Sequence, residues 1–153
     1  MKKFKPAEGQ TDYTQITWVP VINCVLEFKG KFLIVQRSKK LNFYPNYYNG
    51  ISGFLDDNKT LKEKVKKEIE EELGLKASAI KSIELGRIFH QSAPKYDKIW
   101  IVHPILVRVK TDKIRLDWEA QGFKWIDIKE ASKYKLMPGF ARVLEEIKKI
   151  SEI

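Results

Sequence analysis

The sequence predicts an α/β domain, rich in strands and carrying two helices, and three observations support that expectation. Apolar, β-branched runs recur at Trp18–Phe28, Lys31–Gln36 and Lys98–Val109, the composition of buried strands. Leu61, Val65, Ile69 and Leu73 step every four residues, which puts them on one face of a helix. Phe140, Val143, Leu144, Ile147 and Ile150 form a second such stripe.

Taken in order, residues 1–15 (MKKFKPAEGQTDYTQ) carry basic side chains but no apolar segment. They read as a short arm before the first strand rather than a signal peptide. Lys29-Gly30 between the first two runs is a hairpin signal. Leu41–Ile51 is a loop dense in Tyr, Phe, Asn and Pro. Thr60 and Glu63 have capping-box spacing, and Gly74 is placed to close the helix with a left-handed cap. Glu63–Lys67, Lys67–Glu71 and Lys66–Glu70 are i,i+4 pairs on its exposed faces. Ala79–Phe89 and Lys98–Val109 follow as strands, then Phe123–Ile128 as a short strand and Lys129–Tyr134 as a helical turn. Pro138 is placed for the first turn of the last helix. With 153 residues and no repeat or low-complexity linker, one domain over 1–153 is expected.

Composition narrows the function classes. Cys24 is the only cysteine, which excludes an intramolecular disulfide and a cysteine-based zinc cluster. Its place in an apolar run suits a buried small hydrophobe. No apolar run approaches the ~18 residues of a membrane span, so a cytoplasmic protein is expected. The net charge is +9, which attracts polyanions such as nucleotides, polyphosphates or RNA. Only five of the 29 basic residues are arginine (Arg37, Arg87, Arg108, Arg115 and Arg142). Nucleic-acid readers concentrate arginine at their contacts, so RNA is permitted but not supported, and dispersed lysine also fits a general compositional bias.

The stretch GFLDDNKTLKEKVKKEIEEELGL, residues 53–75, is the most informative. At about 100° per residue, Glu68 shares a helix face with Glu71 and Glu72, while Glu70 falls near the opposite side. Crowded carboxylates destabilise a helix by a few tenths of a kcal/mol per pair. A divalent cation turns that repulsion into binding, because hard cations take carboxylate oxygens. A solvated structural helix with the same caps is the plainer reading, but it leaves the GFLDDN lead-in unexplained.

The segment resembles the Nudix box, G-x5-E-x7-R-E-U-x-E-E-x-G-U, with U a bulky aliphatic residue. Gly53, Glu68-Ile69, Glu71-Glu72 and Gly74-Leu75 match; Lys59 replaces the first glutamate and Lys67 the arginine. VQRS, YPNYYNGISGFLDD, WIVHPILVRV and LDWEAQGFKWI extend the resemblance over roughly residues 16–147. It implies a Nudix-type α/β/α sandwich with a mixed central sheet. It also implies hydrolysis of a diphosphate linkage in a nucleoside diphosphate derivative, using Mg²⁺ or Mn²⁺. Glu68, Glu71 and Glu72 then serve as metal ligands and catalytic carboxylates, with Glu68 the candidate base within the box. The carbonyl of Ser52 is a further ligand of the family's kind. Glu119, in LDWEAQG, either closes the metal site or is a surface carboxylate.

The family's box arginine orients a glutamate, and Lys67 keeps its charge but not its bidentate fork. Asp56 or Asp57 can supply the charge missing at Lys59. Arg37, ending the second run, is placed to meet phosphate. Phe43, Tyr44, Tyr47 and Tyr48 precede the box, where Tyr44 and Tyr48 are candidates to stack on a base, or the rings pack on the sheet. His90 and His103 read as structural. A homodimer is compatible with the sequence. Isopentenyl diphosphate isomerase shares this fold but needs a cysteine before the box, where this chain reads NGISGF. The competing class is a non-catalytic nucleotide- or RNA-binding module, although such modules often lose the box glutamates that this chain retains.

Overall fold

The computed structural model describes residues 12–56 and 58–152. The first eleven residues of the expected arm, and Asp57, lie outside them. Strand β1 (Trp18–Phe28) turns through Lys29 and Gly30, both at positive φ (49° and 79°), into β2 (Lys31–Arg37). A two-residue turn with both central φ positive matches the twist of a hairpin. The two strands pair only at Glu27↔Phe32 and Phe28↔Lys31, then separate. β4 (Ile51–Phe54) takes the vacated edge of β1 at residues 21–24, while the two-residue β3 (Tyr48–Asn49) stays on β2. Between them Gly50 crosses the split, where a Cβ would stand 2.2 Å from Asn23 Oδ1 and 2.6 Å from Cys24 O. Only glycine fits such an approach. The buried Asn23 Nδ2 donates to Asn49 Oδ1 at 2.8 Å across the same gap.

Helix α1 (Leu61–Leu73) has both reciprocal bonds of its capping box, Thr60 with Glu63, and ends at Gly74 in the left-handed region. β7 (Lys98–Val109) runs parallel to β1 from Trp18↔Ile99 to Glu27↔Arg108. The expected strand Ala79–Phe89 is instead two strands, β5 (Ile80–Leu85) and β6 (Phe89–Ala93), antiparallel to opposite halves of β7. The break faces Pro104. A residue's N–H and C=O point to the same side of a strand, and Pro104 has no N–H to offer there. Its carbonyl accepts from Gly86 N at 2.7 Å, and the ladder stops.

β8 (Ala120–Ile126) pairs antiparallel with β2, starting three residues before the expected Phe123. A 3₁₀ turn at Ile128–Lys133 and helix α2 (Phe140–Ser151) follow. Pro138 lies outside α2, just before its N-cap Gly139, and not in the first turn as expected. The resulting sheet is mixed and eight-stranded, with β3, β2, β1, β7 and β5 in order and β4, β6 and β8 completing it. Alternate residues of a strand face opposite sides. Ile22, Cys24 and Leu26 accordingly pack with Val65, Ile69 and Leu73 of α1. Val19 and Val25 pack with Phe140, Val143, Leu144 and Ile147 of α2. The layers are helix, sheet, helix, and Cys24 is buried as a core residue. Among the described residues no helix is long and apolar enough to cross a membrane.

Candidate active site

The split between β1 and β2 opens a cleft of about 290 Å³ whose lining runs from Glu68, Glu119, Ser52 and Gly53 to Phe43, Tyr44, Trp100 and Phe140. The lining combines acidic with aromatic side chains. Glu68 and Glu72 stand one turn apart on α1. Glu119 reaches them because its loop is stitched to the helix terminus. Arg115 N donates to Leu73 O at 2.9 Å and Asp117 N to Glu72 O at 3.2 Å. These are carbonyls that the end of a helix leaves without an intrahelical partner. On its far side the loop is held by Ser38 N donating to Glu119 O at 2.8 Å.

The three carboxylates repel one another in a partly dry setting. Burial, then the neighbouring Glu119, then Glu68 push the Glu72 carboxyl well above the usual 4.5. Glu119 is raised chiefly by burial, with Asp117 and Glu68 adding to the rise; the Glu72 carboxyl and Arg37 oppose it. Asp117 is raised, again mainly by burial. Glu72 Oε2 is out of contact with solvent and has no hydrogen-bond partner among the described residues. A buried carboxylate oxygen without a donor, beside two further carboxylates, is the donor set a hard divalent cation takes. Among the described residues no three acidic, histidine or cysteine side chains are arranged as they stand to hold a metal ion. The fit rests on the crowding of Glu68, Glu72 and Glu119 and on the orphaned oxygen.

Gly53 has a geometric reason here. A Cβ on it would stand 2.9 Å from Glu68 Cδ and 3.0 Å from Glu68 Oε1, so any larger residue displaces that carboxylate. Lys64, one turn before Glu68, places Nζ 3.2 Å from Glu68 Oε1 and 3.4 Å from Asp56 Oδ1. Asp56 thus serves Lys64.

The other expected residues divide. Ser52 lines the cleft beside Gly53. Glu71 is exposed and has no ion pair or hydrogen bond among the described residues. The expected Glu63–Lys67, Lys67–Glu71 and Lys66–Glu70 ion pairs are not formed; these long side chains point into water, where such pairs bring little. Arg37 lines the cleft and donates through Nε and Nη2 to Phe43 O at 3.0 and 2.8 Å. Burial lowers its pKa, opposed by Glu72 and Glu119. Tyr44 lines the cleft with its ring edge-on to Tyr96, centroids 5.0 Å apart. Tyr48 does not line it, and packs edge-on against Tyr134 at 5.1 Å. Phe43 does both, lining the cleft and packing on Tyr96 and Trp100. His103 is tied through Nδ1 to the carbonyls of Val21 and Ile101, and His90 lies edge-on to Trp18.

Sequence reasoning missed Lys64 and Asp117 near Glu68, and Trp100 and the exposed Trp118 in the cleft lining. Only Lys64 carried a signal, since i,i+4 spacing from Glu68 puts it on the same face.

No curated protein matches this sequence. Solved structures match its fold at low identity. A MutT NUDIX hydrolase from Burkholderia pseudomallei has a TM-score of 0.73 at 16% identity, covering 86% of this chain and 98% of its own. The NUDIX domain of Shewanella oneidensis NrtR, complexed with ADP ribose, has 0.71 at 14%, covering 88% and 89%. A C. elegans Ap4A hydrolase binary complex has 0.66 at 17%, covering 90% and 98%. A family model described as the NUDIX domain matches residues 17–147. With that match covering most of the chain and the whole glutamate segment, the chain belongs to the NUDIX domain family.

Proposed function

We propose that the protein is a metal-dependent hydrolase that cleaves the diphosphate linkage of a nucleoside diphosphate derivative. The observation that supports this most is the buried Oε2 of Glu72, without a hydrogen-bond partner among the described residues, beside Glu68 and Glu119, two glutamates that line a cleft together with aromatic side chains. Glu68, Glu72 and Glu119 would hold Mg²⁺ or Mn²⁺, with Glu71 and Ser52 as further proposed ligands. When bound, the metal neutralises diphosphate oxygens and lowers the pKa of water.

The chain's own residues supply the rest. Water adds to one phosphorus, the bridging P–O bond breaks, and the anhydride leaves as two phosphate-terminated products. Glu68 is the proposed acceptor of the water's proton. Arg37, with Nε and Nη2 committed to Phe43 O, retains Nη1 for a phosphate oxygen. Phe43, Tyr44 and Trp100 offer ring faces and edges to a nucleoside. Two structural neighbours are described with nucleotide chemistry, ADP ribose in one case and Ap4A in the other, which supports a small nucleotide substrate.

The test is a screen of purified protein with Mg²⁺ or Mn²⁺ against dinucleoside polyphosphates, nucleotide sugars, dinucleotide cofactors, (d)NTPs and capped or triphosphorylated RNA. Hydrolysis should vanish in EDTA and return with metal. Hydrolysis that persists in excess chelator overturns the metal-dependent reading.

A further inference from the structure

Lys64 is one of the largest side chains that the fold buries completely among the described residues, at 2% exposure, and the one of them that carries a charge. It lies on α1 next to a stripe of apolar residues, where an apolar side chain would avoid the cost of drying an ammonium. Its ion-pair partners Asp56 and Glu68 are themselves 3% and 13% exposed. Lys67, which stands where the box has arginine, is exposed and makes no ion pair among the described residues.

The carboxyl carbon and Oε1 of Glu68 occupy the space that a Cβ on Gly53 would need, and Lys64 Nζ lies 3.2 Å from that same Oε1. We propose that Lys64, rather than Lys67, is the residue that positions Glu68 for cation binding in this protein. The ion pair engages Oε1, and the missing side chain at Gly53 leaves that oxygen its room, with Oε2 outside the ion pair. An exposed lysine is a flexible point charge and fixes little. Burial immobilises the stem of Lys64, and Asp56 fixes its head, so a single charge defines the carboxylate's position. Outer partners of this kind orient metal ligands and limit the rotamer freedom lost when the metal arrives. The same ammonium offsets part of the repulsion that Glu68 exerts on Glu72 and Glu119. The inference rests on the proposed metal site.

The test measures Mn²⁺ binding to the full chain without substrate, by the electron paramagnetic resonance of free Mn²⁺, alongside kcat and KM. Lys64→Met keeps the volume and removes the charge; it should weaken Mn²⁺ binding and lower kcat by about 10–100-fold, with KM for substrate little changed. Lys64→Arg should recover part of both, and Lys67→Met should leave both within about twofold. Circular dichroism checks folding, and Lys64→Gln, which keeps a hydrogen-bond donor, gives the same reading if the Met variant does not fold. Mn²⁺ affinity unchanged in Lys64→Met, or weakened equally by Lys67→Met, overturns the role of Lys64 alone. A wild-type protein that binds no Mn²⁺ overturns this proposal together with the metal-dependent reading beneath it.

Discussion

Helix α1 buries Lys64 between two carboxylates that are themselves nearly inaccessible, Asp56 and Glu68. Helix α2 also buries one charged side chain, Glu146, but its partners Arg142 and Lys149 are 45% and 67% exposed. In α2 burial raises the Glu146 pKa, hydrogen bonds from Lys149 and Arg142 outweigh that, and the net shift is downward. If Glu146 is removed, its two cations turn to water. If Lys64 is removed, Asp56 and Glu68 lose a partner in a place water hardly reaches, and breaking such a pair costs about 3–5 kcal/mol. An otherwise apolar stripe packs α2 to the sheet, whereas α1 departs from that pattern where it carries the glutamates. The contrast separates a helix that serves as scaffold from one that also builds a site.

The sharpest way to break this comparison lies on α1. Glu72→Gln should cost at least about 100-fold in kcat on the substrate found by the screen, because it removes a metal ligand. Glu70→Gln, on the exposed face, should stay within about a few-fold. Equal losses, or a larger one for Glu70→Gln, mean that the site lies on another face of the helix.

The pH dependence of stability is next. Burial, Glu119 and Glu68 hold Glu72 above the usual 4.5, and burial holds Glu119 there too. A carboxyl whose pKa rises on folding binds its proton more tightly in the folded chain. Its contribution is full below the unfolded value and is lost as pH climbs through the folded one. Metal-free protein should therefore melt at lower temperature as pH rises from about 5 to 8, and Mg²⁺ should restore the loss. Glu72→Gln should flatten the profile. A metal-free melting temperature that holds steady or climbs over that range contradicts the crowded-carboxylate account.

Two smaller effects sharpen the contrast between the helices. Thr60→Ala removes the bond to Glu63 N that starts α1 and should cost about 1 kcal/mol in urea unfolding; a cost near zero would mean the cap is frayed in solution. Glu146→Gln on α2 should cost less than about 1 kcal/mol and leave kcat unchanged. A fall in kcat would show that α2 too reaches the chemistry.

Much of this was legible along the chain. The bounds of β1 and β7, the hairpin at Lys29-Gly30, the capping box and the glycine stop of α1 follow from local pattern. The joining of β5 and β6 into one expected strand shows the limit. Both segments have strand composition, and the interruption comes from Pro104 on a different strand. The same holds for the aromatics before the box. Phe43, Tyr44 and Tyr48 look alike in sequence, yet the first two line the cleft and the third packs on Tyr134.

By itself the sequence determined the long strands β1 and β7, both helices, the family and the helix face on which Glu68 and Glu72 meet, because caps, turns and the helical repeat act over a few residues. Only the tertiary structure decided that Glu119 joins those glutamates and that the Glu71 side chain is solvent-exposed. It also decided that the lysine at Glu68 is Lys64 rather than Lys67. Those outcomes depend on backbone bonds between distant segments, from Arg115 and Asp117 to the end of α1 and from Ser38 to Glu119, and on which side chains the sheet covers. Neither is encoded at any single stretch of chain.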